Sequence, residues 1–174
     1  MKTFACDWEK INLHNDAKDG DLLLVRSKRE QLPLLGMWSS NSDERFFTVL
    51  WADERVSLAL PQRLATIDLD LTDLAVRIPG MIVPHLQLQH VRFDTLRRAP
   101  RERHGILSVS KGRTLLGVAS DLEIMEVFAL DVQTGREFKP AEQAFGFAQW
   151  SIVCKDHQGS DIVLYDHAPS RLGA

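Results

Sequence analysis

Cysteine is scarce in this chain: Cys6 and Cys154 are the only two among 174 residues. Two thiols cannot supply the disulfide framework of a small secreted scaffold or an all-thiolate zinc site. They are expected as reduced thiols. Long apolar runs are also missing, and no stretch approaches the ~20 residues of a membrane-spanning helix. The opening residues MKTFACDWEK carry Asp7 and Glu9 where a signal peptide would need its apolar core. A cytoplasmic protein with no membrane partner is the expectation. Basic charge is not in excess: 21 Lys and Arg stand against 24 Asp and Glu, a net charge of −3. That balance argues against a dedicated nucleic-acid or membrane-surface binder. No Gly-x-Ser-x-Gly elbow, phosphate loop, internal repeat or low-complexity segment occurs.

What is present suffices for a packed domain. Hydrophobic residues make up 44% and charged residues 26%, so wholesale disorder is excluded. The length suits one globular domain over residues 1–174. The polar stretch 97–104 is the only plausible boundary, and a cut there leaves a C-terminal piece near the size where cores become marginal.

The longest apolar stretch is 105–135. Residues 106–110 and 114–119 flank Lys111-Gly112-Arg113, which reads as a hairpin connection. From there Leu122, Ile124, Phe128, Leu130 and Val132 keep one parity, the period of a strand. A second hairpin closes on Gln133-Thr134-Gly135 and returns through Phe138. Other expected strands are 22–25, 34–38, 46–51, 56–60, 81–83, 86–93, 147–154 and 162–165. Turn signals fall at 18–21, 39–45 and Pro79-Gly80. Residues 7–21 are polar and dense in charge, and 140–144 suit one helical turn.

Two segments carry both periods. Leu60, Leu64, Ile67, Leu71, Leu74 and Ile78 are spaced as on an amphipathic helix, yet Ile67, Leu69 and Leu71 also alternate with Asp68, Asp70 and Thr72. Aspartate and threonine form helices poorly, which favours a short helix after Pro61 and strands on either side of Thr72-Asp73. Over 121–131 the pattern Ser120-x-x-Glu123 matches a capping box, but the alternating residues are larger and more numerous. The expected fold is therefore mainly β, an antiparallel sandwich or partly open barrel of many short strands with one or two short helices. An α+β fold is the alternative, should 61–75 and 121–131 both be helical.

Among candidate chemistries, Asp68-Leu69-Asp70-Leu71-Thr72 resembles the D-x-D-x-T signature of the haloacid-dehalogenase phosphohydrolases. The resemblance implies Asp68 as nucleophile, Asp70 as general acid/base and a Mg²⁺ ion that offsets phosphate charge. On a strand the two carboxylates would project to one side, about 6.6 Å apart. It covers five residues of 174, and it departs from the family at Leu71, where glycine is usual. No downstream acidic motif follows, since Asp121 and Asp131 stand alone. The ordinary explanation, polar positions on a half-exposed strand, is preferred. No catalytic residue or cofactor is assigned.

The histidines give no metal site. His85 and His90 lie five residues apart, on opposite faces of a continuous strand. Asp156-His157 and Asp166-His167 fall at the tip and the open end of the expected last hairpin, too far apart for one zinc. His14 and His104 sit in charged loops. Cys154, in an apolar strand, reads as a small buried hydrophobe.

The binding signal is arginine. Residues 92–104 hold five Arg against Asp94 and Glu102, a local +3 in a chain of −3. Arginine suits planar, bidentate capture of carboxylate or phosphate. Single-stranded nucleic acid would also need aromatic platforms, and only Phe93 is near. The functional expectation is a non-enzymatic binding module, an inhibitor or accessory protein, docking an acidic protein partner through Arg97, Arg98, Arg101 and Arg103. A Mg²⁺-dependent phosphohydrolase using Asp68 and Asp70 and nucleic-acid binding through the Arg loop are the alternatives.

Overall fold

Alternating side chains give extended segments, and the computed structural model describes them over residues 8–26, 28, 31–40, 45–52, 65–67, 71–85, 107–119, 127–138, 145–147, 149–156 and 158–167. The strands there are β1 Glu9–Asn12, β2 Leu22–Arg26, β3 Pro33–Ser40, β4 Arg45–Ala52, β5 Ala65–Ile67, β6 Leu74–Ile78 and β7 Gly80–Pro84. They continue as β8 Leu107–Ser110, β9 Arg113–Ala119, β10 Val127–Asp131, β11 Phe145–Phe147, β12 Trp150–Lys155 and β13 Asp161–His167. One four-residue helix, α1 Leu13–Asp16, follows β1.

Ten strands form one sheet in the order β1-β6-β2-β3-β4-β5-β9-β8-β11, with β10 also paired to β9. A second sheet runs β13-β12-β7. Among the described residues every pairing is antiparallel except the Ala65↔Ala119 contact between β5 and β9. The larger sheet ends on β1 and β11 without closing, so the architecture is mainly β and sandwich-like rather than a barrel. The α+β alternative fails, because both Ala65–Ile67 and Val127–Asp131 are strands.

The β8–β9 hairpin turns on Lys111 and Gly112, with φ of 51° and 74°. Two positive values make a type I′ turn, whose twist matches that of the strands it joins. The hairpin after β10 also forms as expected: Leu130 pairs with Glu137, and Phe138 N–H donates to the Ala129 carbonyl at 2.8 Å.

The run 22–25 is apolar throughout because β2 is buried on both faces. Leu22 and Leu24 pack with Met37, Leu116, Trp150, Ile152 and Cys154, which joins the two sheets in one core. Leu23 and Val25 face a second cluster with Ile11, Leu13, Leu34, Trp38 and Val49. Cys154 is thus the buried small hydrophobe expected of it. Each fully buried Leu or Ile contributes on the order of 1.5–3 kcal/mol relative to exposure.

Three expectations change. The polar stretch 7–21, in which no element is expected, holds β1 and α1. The helix starts because the Asn12 carboxamide oxygen accepts from the N–H groups of His14 and Asn15 at 3.0 and 3.1 Å. Asp16 returns the favour by accepting the Asn12 N–H at 2.9 Å, a reciprocal cap of the kind that starts helices. At the turn signal Pro79-Gly80 the chain instead runs directly from β6 in the larger sheet to β7 in the smaller. Finally, 147–154 is two strands, because β11 pairs with β8 while β12 pairs with β7 and β13. The expected strands 56–60 and 86–93, the helix after Pro61, the capping box at Ser120 and the turn at 140–144 lie outside the described residues.

Candidate functional site

Two turns distant in sequence meet beside Trp38. The first, at 18–21, is pinned to β3 by two backbone hydrogen bonds: Gly20 N–H donates to the Trp38 carbonyl at 2.9 Å, and Trp38 N–H to that of Asp21 at 3.0 Å. Arg77 on β6 holds the same turn from the other side. Its Nε donates to Asp21 at 2.9 Å and its terminal nitrogens to Glu9 and to the Asp16 carbonyl, both at 2.5 Å. Burial lowers the basicity of that guanidinium, but Asp21 and Glu9 outweigh it and the net shift is upward.

The second turn follows β10. Asp131, 1% exposed, closes it as an Asx turn, accepting the Gln133 N–H at 2.9 Å. Its other carboxylate oxygen accepts from Arg113 at 2.5 Å. Burial alone would push the Asp131 carboxyl up, but the Gln133 N–H, Arg113 and the Thr134 side chain together hold it below the ordinary carboxylate range. The Arg113 guanidinium lies over the Phe138 ring, 4.8 Å from its centroid.

Across the junction Arg136 reaches back to the first turn, its Nε donating to Asp19 at 3.0 Å. Asp19 also accepts from the Ser40 hydroxyl at 2.7 Å. Burial opposes ionisation there too, and the bonds from Ser40 and Arg136 win, so its pKa is depressed. Between the turns lies an open concavity of about 520 Å³, lined by Asp19, Arg113, Asp131, Arg136, Glu137 and Phe138 with Gln133 and Thr134.

A different polar cluster sits on the smaller sheet. Ser151 pairs across strands with Val83 and Asp166, and its hydroxyl donates to the Asp166 carboxylate. His85 Nε2 meets the same hydroxyl at 2.5 Å and lies 3.5 Å from Asp166. The residue types are those of a hydrolytic triad, but the order is not. In a triad the imidazole stands between acid and hydroxyl, using both ring nitrogens. Here the serine stands between, one nitrogen faces both partners, and Ser151 is only 1% exposed. The arrangement ties β7 to β13 across β12 and does not activate a nucleophile.

The sequence-derived candidates fall unevenly. Arg97, Arg98, Arg101 and Arg103 lie outside the described residues, as do Asp68 and Asp70. His14 is on α1 rather than in a loop, with Asp73 at 3.4 Å and Arg45 at 3.2 Å. His85 joins Ser151 and Asp166, whereas His167 stacks on Trp150 at 4.8 Å. Asp131, which stands alone in linear order, is the anchor of the concavity. The signal for it is Asp131-Val132-Gln133-Thr134-Gly135, a turn whose first side chain can bond the backbone two residues on. Nothing in linear order marks Asp19 and Arg136 as partners.

No family model, curated protein or solved structure matches this chain.

Proposed function

We propose that the protein is a cytoplasmic, non-enzymatic binding module, an inhibitor or accessory protein that docks an acidic protein surface through residues 92–104. The observation that carries this reading is charge segregation: a local +3 in a chain of net −3. Arginine, with its flat fork of donors, is the residue type that captures surface carboxylates two at a time. The inaccessible Ser151 hydroxyl supports the same reading, since the one Ser–His–Asp cluster among the described residues offers no attacking oxygen.

The test is capture on immobilised protein after nuclease treatment, with Arg97, Arg98, Arg101 and Arg103 all changed to Ala as the comparison. A bound partner should be acidic, should leave at moderate salt because exposed charges are screened over about 8 Å at physiological ionic strength, and should be lost from the variant. A partner retained by the quadruple variant overturns the site. Binding abolished by nuclease overturns the partner class.

A further inference from the structure

We propose that the concavity between the turns at 18–21 and 132–135 binds a small molecule carrying a carboxylate or phosphate group, with Arg113 and Arg136 as its clamp and Phe138 as the apolar wall.

The formal charge of the lining is misleading. Asp19, Asp131 and Glu137 against Arg113 and Arg136 sum to −1. Position reverses that sign at the surface. The side chains of Asp131 and Asp19 are 1% and 17% exposed, whereas those of Arg113 and Arg136 are 45% and 70% exposed. Two carboxylates therefore stand behind two guanidiniums, and a ligand entering from solvent meets the cations first. Glu137 is the exposed exception, and it disfavours a ligand with several negative charges.

Among the described residues each guanidinium is held by one nitrogen: Arg113 through a terminal nitrogen to Asp131, Arg136 through Nε to Asp19. Both terminal nitrogens of Arg136, and Nε and the second terminal nitrogen of Arg113, meet no acceptor among the described residues. A guanidinium tethered at one corner has lost much of its rotamer freedom before a ligand arrives, so less entropy is lost on binding. The depressed pKa values of Asp19 and Asp131 keep both tethers charged at neutral pH. The Arg113 guanidinium lies over the Phe138 ring, 4.8 Å from its centroid, and Phe138 is the aromatic residue of the lining, so an apolar portion of a ligand would meet it there. Gln133 and Thr134 add neutral hydrogen-bonding groups to the same wall. A volume of about 520 Å³ lies in the range of small-molecule sites, about 300–1,000 Å³.

The site is separate from the 92–104 stretch, and the experiment keeps the two apart. Full-length protein is titrated with inorganic phosphate and, separately, with benzoate, while amide and guanidinium signals of residues 131–138 and Arg113 are followed by NMR. The expected result is saturable shifts at those residues with a Kd on the order of 1 mM or tighter for at least one probe. Benzoate binding more tightly than phosphate identifies a carboxylate ligand that uses Phe138; the reverse identifies phosphate. Arg136→Gln, which gives up the ion pair to Asp19 and should lower Tm by a few degrees while leaving the protein folded, should weaken binding about tenfold, the loss of one charge-assisted contact. The quadruple variant of the 92–104 arginines should bind both probes as the unaltered protein does. Shifts that never saturate, or binding undiminished in Arg136→Gln, overturn the proposal and leave the reading of residues 92–104 untouched.

Discussion

Gly20 and Gly135 lie backbone against backbone: a Cβ on Gly135 would stand 2.6 Å from the Gly20 nitrogen and equally close to the Trp38 carbonyl oxygen. Both glycines have positive φ, 88° and 65°. The contact joins two loops more than a hundred residues apart and sets the spacing of Asp19 from Arg136. Any side chain at either position would push the turns apart.

That closeness makes Gly135→Ala costly in two ways. The left-handed conformation alone costs an alanine about 1–2 kcal/mol, and the clash with two backbones adds to it. Gly159, with φ of 81° and nothing within 4 Å of its would-be Cβ, isolates the first effect. Urea unfolding should show Gly135→Ala less stable than Gly159→Ala by about 2 kcal/mol. Equal losses would mean that the two turns do not touch in solution.

Asp131→Asn probes the buried end of the concavity. Asparagine keeps an acceptor for the Gln133 N–H but loses the charge facing Arg113. The folded-state pKa of Asp131 is depressed, so its contribution is complete above the unfolded value, about 3.9, and is lost as pH falls through the lower folded value. The unaltered protein should therefore lose stability on acidification below about pH 4. Asp131→Asn should be weaker at neutral pH by about 1–2 kcal/mol and should show a shallower acid decline. Parallel pH profiles of the two would show that the carboxylate is not ion-paired.

Ser151 links three strands of the smaller sheet through His85 and Asp166. Both partners are exposed enough to be hydrated when the hydroxyl is removed. Ser151→Ala should cost only about 1 kcal/mol. A loss several times larger would mean that His85 and Asp166 are left without water when the hydroxyl is removed.

Trp150 gives the contrasting case. It is fully buried in the core shared by both sheets, with Tyr165 edge-on at 5.7 Å and His167 stacked at 4.8 Å. Trp150→Ala should cost about 3–5 kcal/mol, whereas Val163→Thr, on an exposed position of β13, should change stability by less than about 0.5 kcal/mol. Thermal unfolding of the two variants side by side checks the assignment of inner and outer faces.

Most of the strands could be read in advance, for a local reason. Lys111-Gly112 demands a particular turn, and the aromatic and β-branched residues of 46–51 suit an extended chain. Where reading failed, a neighbour distant in sequence had decided. Residues 9–12 are part of a stretch marked only by its polarity and charge, yet they form β1 because β6 offers Leu74 to Arg77 as partners. The stretch 147–154 reads as one strand, but β8 takes its start and β7 its remainder.

The chain's own order of residues determined that this is a β-rich molecule with its hairpins at 111–112 and 133–135, because side-chain parity and turn conformation are properties of a few consecutive residues. Which charges meet was decided by tertiary structure alone. Asp19 and Arg136 are separated by 117 positions, and His85 and Ser151 by 66. Sheet order and register bring such pairs within hydrogen-bonding reach, and both are set by how the whole set of strands buries its apolar faces.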